Sequence, residues 1–249
     1  MLFFLALLGA IFGSFLNVLI HRLPNKLSII FPSSHCIYCN VNIKWYHNIP
    51  IFSFLILKGF SHCCNKAIPK RYLFIEISSL LLWVWSYYYI PSIYNQILFL
   101  IMSSCLLVII FTDYNYFYIP IELNILMFFS CLLLLRYNVD FDLKYHFFSM
   151  LILLAYFIFL TFIANFFLKK ESMGYGDIIL IGVISFWLGL YYALVIIFIA
   201  SILSIFHWLI IKISTKDESI ILPFGSTLSF STILIYMIAI TLKIEIYFF

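Results

Sequence analysis

Apolar runs close to the width of a bilayer recur from one end of this chain to the other, and they leave little choice of fold. A helix crossing the hydrocarbon core needs roughly 20 consecutive apolar residues. Eight runs meet or approach that length: about 1–20, 73–90, 95–112, 119–136, 147–168, 177–190, 191–211 and 226–245. The sixth is short and runs into the seventh around Gly189. Only 10% of the residues are charged, against roughly 25% in soluble domains, so the chain cannot clothe a water-facing surface. The expected fold is an all-α polytopic membrane protein. It has about eight transmembrane helices and one cytoplasmic, cysteine-containing loop.

The polar residues divide the chain into a first span at 1–20, a loop at 21–72 and a multi-span domain at 73–249. No basic residue precedes the first apolar run, and His21 and Arg22 follow it. That pattern reads as an uncleaved span with its N-terminus outside. The cations agree. Arg22, Lys26, Lys44, Lys58, Lys66, Lys70 and Arg71 fall in the first loop, and Lys169, Lys170, Lys212 and Lys216 in later cytoplasmic loops. Arg136, Lys144 and Lys243 remain outside, which is the asymmetry expected of positive-inside loops. No basic tract suits nucleic acid, and no internal repeat is visible.

This topology brings two acids to the cytoplasmic edge. Asp113 ends the third run, in Phe111-Thr112-Asp113-Tyr114, and Asp177 begins the sixth, in Met173-Gly174-Tyr175-Gly176-Asp177. Ionisable groups beside hydrocarbon are costly. The simple reading is a boundary residue at 113 and a helix N-cap at 177. The functional reading is a pair of acids, with Gly174 and Gly176 leaving a bare backbone that a peptide can approach. The helix dipole favours charge at a helix N-terminus and disfavours it at a C-terminus. On sequence alone Asp177 is therefore the expected base and Asp113 the expected acid. Two adjacent carboxylates share one proton, and a bell-shaped pH–rate profile is expected.

The loop at 21–72 is too short to build its own core and needs a staple. Cys36, Cys39, Cys63 and Cys64 are the candidates, while Cys105 and Cys131 lie within apolar runs as small hydrophobes. Glu76, close to Arg71 in sequence, reads most simply as half of an interfacial ion pair. The histidines His21, His47, His146 and His207 are scattered, with no spacing that suits a zinc protease.

Taken together these segments resemble the type IV prepilin peptidases, the bifunctional leader peptidases and N-methyltransferases of pilus and type II secretion systems. Gly9-Ala10-Ile11-Phe12-Gly13-Ser14-Phe15-Leu16-Asn17-Val18, with His21-Arg22-Leu23-Pro24, fits the family's first span. Trp45-Tyr46-His47-Asn48-Ile49-Pro50 and Arg71-Tyr72 with Glu76 also fit. Gly174-Tyr175-Gly176-Asp177 matches its Gly-x-Gly-Asp motif. Ile121 departs from the family, which has Asp or Asn after the Ile-Pro pair.

The resemblance implies an aspartyl endopeptidase of the bacterial inner membrane, with Asp113 and Asp177 catalytic. Its substrates would be prepilins or pseudopilins cut after a glycine at the cytoplasmic face. It also implies methylation of the new N-terminus from S-adenosylmethionine, associated with the first loop, and a hint that Glu76 acts near that site. The family's paired Cys-x-x-Cys motifs suit structural zinc. Cys36-Ile37-Tyr38-Cys39 is one pair, but in Ser61-His62-Cys63-Cys64 a serine replaces the third cysteine. Cys63 or His62 would supply the missing ligand.

Three other readings stay open: a peptidase without the methyl-transfer step, a transporter or channel using intramembrane acids, and an inactive assembly scaffold. A transporter would favour repeated halves and broken mid-membrane helices.

Overall fold

The computed structural model describes residues 2–137, 142–169, 173–215 and 222–244. Lys170 and Lys216 of the cation pattern, and residue 245 of the last expected span, lie outside them. The chain forms two compact units, Met1–Pro91 and Ser92–Phe249.

The first unit is built on α1 (Leu2–Arg22) and α3 (Arg71–Tyr89), with a short α2 (Phe52–Ile56) in the loop between them. Small residues let the two long helices approach closely, as membrane helices require. A Cβ added to Gly13 would lie 2.7 Å from Glu76 Cα, and one on Gly9 would lie 2.9 Å from Leu80 Cα. Polar groups secure the contact from both sides. Ser79 Oγ donates to the Gly9 carbonyl at 2.7 Å, and Asn17 Nδ2 donates to the Tyr72 carbonyl at 3.2 Å. At the end of α1, Arg22 turns its guanidinium on the loop and donates to the carbonyls of Ser28, Ile29 and Pro32.

The second unit holds α4 (Ile93–Tyr116), α5 (Ile121–Leu134), α6 (Leu143–Leu168), α7 (Tyr175–Thr215) and α8 (Phe224–Thr241). Tyr236 of α8 stacks between Phe99 of α4, at 5.1 Å, and Trp187 of α7, at 4.8 Å. Three helices thereby share one aromatic core. The faces that meet elsewhere carry small residues: a Cβ on Gly182 would lie 2.8 Å from Leu154 Cδ2.

Helix α7 contains both of the runs that meet near Gly189, and Gly189 breaks it with φ 77° and ψ 174°. A straight helix would hold Asp177 and Ser204 roughly 40 Å apart. Both instead reach the first turn of α8. Asp177 Oδ1 lies beside Gly225, and Ser204 Oγ is 2.7 Å from Thr227 Oγ1. The chain therefore folds back at Gly189. Backbone groups freed in an apolar setting need partners, and α6 supplies them. The Leu190 N–H donates to Tyr145 Oη at 3.3 Å, and His146 Nδ1 lies 2.9 Å from the Phe186 carbonyl.

Among the described residues five helices are long and apolar enough to cross a membrane: Leu2–Arg22, Ile93–Tyr116, Leu143–Phe167, Tyr175–Ile213 and Phe224–Thr241. Helices also occupy the positions expected for the second and fourth spans, but α5 has only 14 residues, roughly 21 Å of helix. Cys105 and Cys131 are buried, as small hydrophobes should be.

Replacing Gly13 by valine places branched carbon where the α3 backbone already stands. We expect it to destabilise the first unit by about 1–3 kcal/mol, read as a lower melting temperature in detergent. An unchanged melting temperature would contradict the close α1–α3 contact.

Candidate active site

Asp113 and Asp177 are brought together by the start of a helix that neither belongs to. Asp113 lies in the last turn of α4 and is buried at 5% exposure. That helix stops at Phe117, whose left-handed backbone (φ 51°) lets its N–H return to the Asp113 carbonyl at 2.9 Å. Asp177 lies in the first turn of α7, its N–H bonded to the Gly174 carbonyl at 3.1 Å.

Between the two stands Gly225 in the first turn of α8. A Cβ at Gly225 would lie 3.1 Å from Asp177 Oδ1, 3.2 Å from Asp113 Oδ2 and 2.5 Å from Ile119 Cδ1. The two carboxylates thus flank one side-chain-free residue. The first N–H groups of a helix have no partner within it and carry the positive end of its dipole, so this is a place where negative charge is tolerated.

The two acids differ in their partners. Asp113 Oδ2 accepts from the Ser226 N–H at 2.7 Å and from the Ser226 hydroxyl at 3.0 Å. Asp177 Oδ1 is buried without a hydrogen-bond partner. Hydrogen bonds to a carboxylate favour its charged form. The Ser226 donors therefore favour charge on Asp113, whereas the dipoles of the two acids' own helices favour it on Asp177. The reason is tertiary: although Asp113 ends α4, its carboxylate sits at the N-terminus of α8.

The motif glycines make room for specific neighbours. A Cβ on Gly174 would lie 3.2 Å from Asp177 Oδ2, and one on Gly176 would lie 3.0 Å from Ile119 Cβ. The bare side of Gly176 is filled by Ile119, while Gly174 and Tyr175 are exposed. Gly225, Ser226 and Ile119 were not singled out by sequence reasoning. The signal that existed was Pro223-Phe224-Gly225-Ser226 at a helix start, which ordinary turn chemistry explains equally well.

In the first unit the loop forms two similar turns. The Cys36 N–H bonds the Val41 carbonyl, and the Asn40 N–H bonds the Cys36 carbonyl, both at 2.9 Å. The Ser61 N–H bonds the Lys66 carbonyl, and the Asn65 N–H bonds the Ser61 carbonyl, both at 2.8 Å. Asn40 and Asn65 share a positive φ, and isolated bridges His35–Asn42 and Phe60–Ala67 close the two turns. Ser61 thus occupies the place of Cys36 in the second turn, and Cys64 that of Cys39.

The sulfurs of Cys36, Cys39, Cys63 and Cys64 all lie within 4.8 Å of one another. Cys36 Sγ is 3.7 Å from Cys64 Sγ, and Cys39 Sγ is 3.0 Å from Cys63 Sγ. Four thiolates at tetrahedral zinc stand roughly 3.8 Å apart, so the set fits a zinc ion with small adjustment. Burial opposes ionisation of Cys36, but hydrogen bonding from the Ser61 hydroxyl and the Tyr38 and Cys39 backbone outweighs it and lowers the thiol to about 6. Its hydrogen bond with Cys63 pushes Cys39 up to about 12.

Glu76 makes no ion pair with Arg71 among the described residues. Its Oε2 accepts the Ile51 N–H at 2.6 Å, and the Arg71 guanidinium stands over the Tyr72 ring at 5.6 Å. Ile51 has φ 64° and ψ −54°, and the Phe52 N–H reaches the Pro50 carbonyl across it. This is a tight γ-turn that branched residues rarely adopt. Glu76 also lines a cavity of about 670 Å³ with Phe15, Asn17, Trp45, His47 and Tyr72.

Two family models match the chain. The bacterial peptidase A24 N-terminal domain matches residues 7–90, and the type IV leader peptidase family matches residues 100–209. A prepilin leader peptidase/N-methyltransferase of Klebsiella pneumoniae is 32% identical over 75% of this chain and 84% of its own length. Proteins of the same description from Legionella pneumophila (29%, over 88% and 85%) and Vibrio cholerae (25%, over 93% and 94%) are similar along almost the whole chain. No solved structure matches the chain significantly.

A methyl group at Gly225 must displace Ile119 or force the two carboxylates apart. Gly225→Ala is therefore expected to lower any activity that needs both acids by about 100-fold. Its melting temperature should fall less than that of Gly13→Val. Full activity in this variant would show that the acids do not act together.

Proposed function

We propose that this chain, which belongs to the type IV leader peptidase family, is a membrane aspartyl endopeptidase that removes the leader of type IV prepilins or type II pseudopilins after a glycine. The observation that carries the reading is the placement of Asp113 and Asp177 on either side of Gly225. A water between the carboxylates would give a proton to Asp113 and attack the scissile carbonyl. Asp177 would protonate the carbonyl oxygen; Asp113 would then pass the water's proton to the leaving amine as the C–N bond breaks, while the gem-diol hydroxyl returns a proton to Asp177. Exposed Gly174 and Tyr175, just before Asp177, offer a length of backbone along which an extended peptide can lie. No covalent intermediate is required.

The topology that suits this reaction has about eight spans, with α3, α5 and the two legs of α7 each crossing the bacterial inner membrane. The N-terminus lies outside and the acids lie at the cytoplasmic face, as the lysines and arginines favour.

The names of the relatives include N-methyltransferase activity, and the first unit is the region we assign to it. Its cavity falls in the size range of small-molecule sites and is lined by aromatic, polar and acidic side chains. It therefore has room for S-adenosylmethionine, which would supply the methyl group for the new N-terminal amine. Cys36, Cys39, Cys63 and Cys64 would hold a structural zinc that ties the two loop turns together, with Cys63 in place of Ser61. Glu76 holds the γ-turn at the cavity's edge.

The test of the peptidase reading is cleavage of a model prepilin in membranes, followed as a mass shift. Asp113→Asn and Asp177→Asn are each expected to lose about a thousandfold or more while still inserting. Cleavage at the wild-type rate by either variant would remove the dyad and bring the transporter and scaffold readings forward. The mass of the product N-terminus separates a bifunctional enzyme from a peptidase alone.

Metal analysis of purified protein is expected to find about one zinc per chain, lost in Cys36→Ser. Metal-free wild type would remove the zinc assignment.

A further inference from the structure

Ser226 is buried at 6% exposure in the first turn of α8 and touches Asp113 twice, through its backbone and through its side chain. Its hydroxyl has two acceptors within reach. Asp113 Oδ2 is 3.0 Å away, and so is the carbonyl of Ile110, one turn earlier on α4. A serine hydroxyl carries one proton and two lone pairs, so it can donate to only one of these at a time.

We propose that Ser226 is a positioning residue for Asp113 whose hydroxyl serves both protonation states of that carboxylate. This assignment rests on the dyad reading of Asp113 and Asp177. With Asp113 charged, the Ser226 hydroxyl donates to Oδ2 beside the backbone N–H. When the attacking water has given its proton to Asp113, the new O–H donates to Ser226 Oγ, and the hydroxyl hydrogen turns to the Ile110 carbonyl. When the proton leaves, the hydroxyl turns back.

No heavy atom moves in this exchange, and in neither state is Asp113 Oδ2 or the Ser226 hydroxyl left without a partner. That matters because an unsatisfied buried group is expensive in apolar surroundings. A rotation about one C–O bond thereby lets the base take up and release its proton while its oxygens stay in place. The backbone N–H cannot do this alone, since it donates but cannot accept.

The experiment is steady-state cleavage of a model prepilin by full-length protein in detergent, comparing wild type, Ser226→Ala, Ser226→Thr and Asp113→Asn, with melting temperatures for each. Ser226→Ala keeps the backbone donor and loses the rotor. It is expected to lower kcat by about tenfold or more, with KM within about twofold and little change in melting temperature. Ser226→Thr restores a hydroxyl and is expected to recover most of the lost kcat.

Three outcomes overturn the proposal while leaving the dyad standing, provided that Asp113→Asn is inactive. One is wild-type kcat in Ser226→Ala. Another is a kcat loss matched by a comparable loss of thermal stability. The third is no recovery in a Ser226→Thr protein that melts like wild type. Activity in Asp113→Asn overturns both readings.

Discussion

Two carboxyl groups can stand side by side in apolar surroundings where they share one proton and something positive and fixed meets the remaining charge. Here that is the first turn of α8, with N–H groups that have no partner within the helix and the positive end of its dipole. Gly225 and Ser226 form that turn, one by having no side chain and the other by donating twice to Asp113. Much of the second unit serves this junction. Helix α4 must end there, α7 must begin there, and α8 must start at the same depth. The stack of Phe99, Tyr236 and Trp187 holds these three helices together farther along their lengths.

The same requirement accounts for the break at Gly189. Helix α7 begins at the acid site, and its second leg meets α8 through Ser204 and Thr227, so the chain must reverse in between. A reversal within a helix frees backbone groups that need partners wherever water does not reach them. Tyr145 and His146 of α6 meet that need at Leu190 and Phe186. His146 looks like an isolated histidine in the sequence, but its place in the structure is at the fold-back.

In the first unit the governing constraint is the opposite one, a polar loop with too little apolar content for a core of its own. Three devices order it: Arg22 bonded to three loop carbonyls, Glu76 bonded to Ile51, and four sulfurs drawn into one cluster. The two turns that present those sulfurs share one hydrogen-bond pattern even though Ser61 stands where Cys36 leads one to expect a cysteine. Backbone geometry therefore preserves a relationship that the side chains have partly lost, and the adjacent Cys63 brings a sulfur back to the cluster.

The helices, and the placing of Asp113 and Asp177 at helix ends, were legible in the sequence because each follows from local chemistry. Apolar runs must bond their own backbone in a bilayer, and charges settle where those runs end. The second-turn cysteines and the Gly-x-Gly-Asp segment were placed by the resemblance to the prepilin peptidases. Spacing could not show that Ser226, 113 residues farther along the chain, supplies the donors to Asp113, or that Gly225 is the residue both acids flank. Nor could it show which acid is supplied with donors, since the dipole that counts for Asp113 belongs to another helix. Glu76 is the parallel case, taken from sequence for a partner of Arg71 and bonded in space to Ile51. Local propensity and the cost of burying charge are properties of a segment and can be read from it. Which helix end meets which carboxylate depends on how the helices pack, and only the tertiary structure decided that.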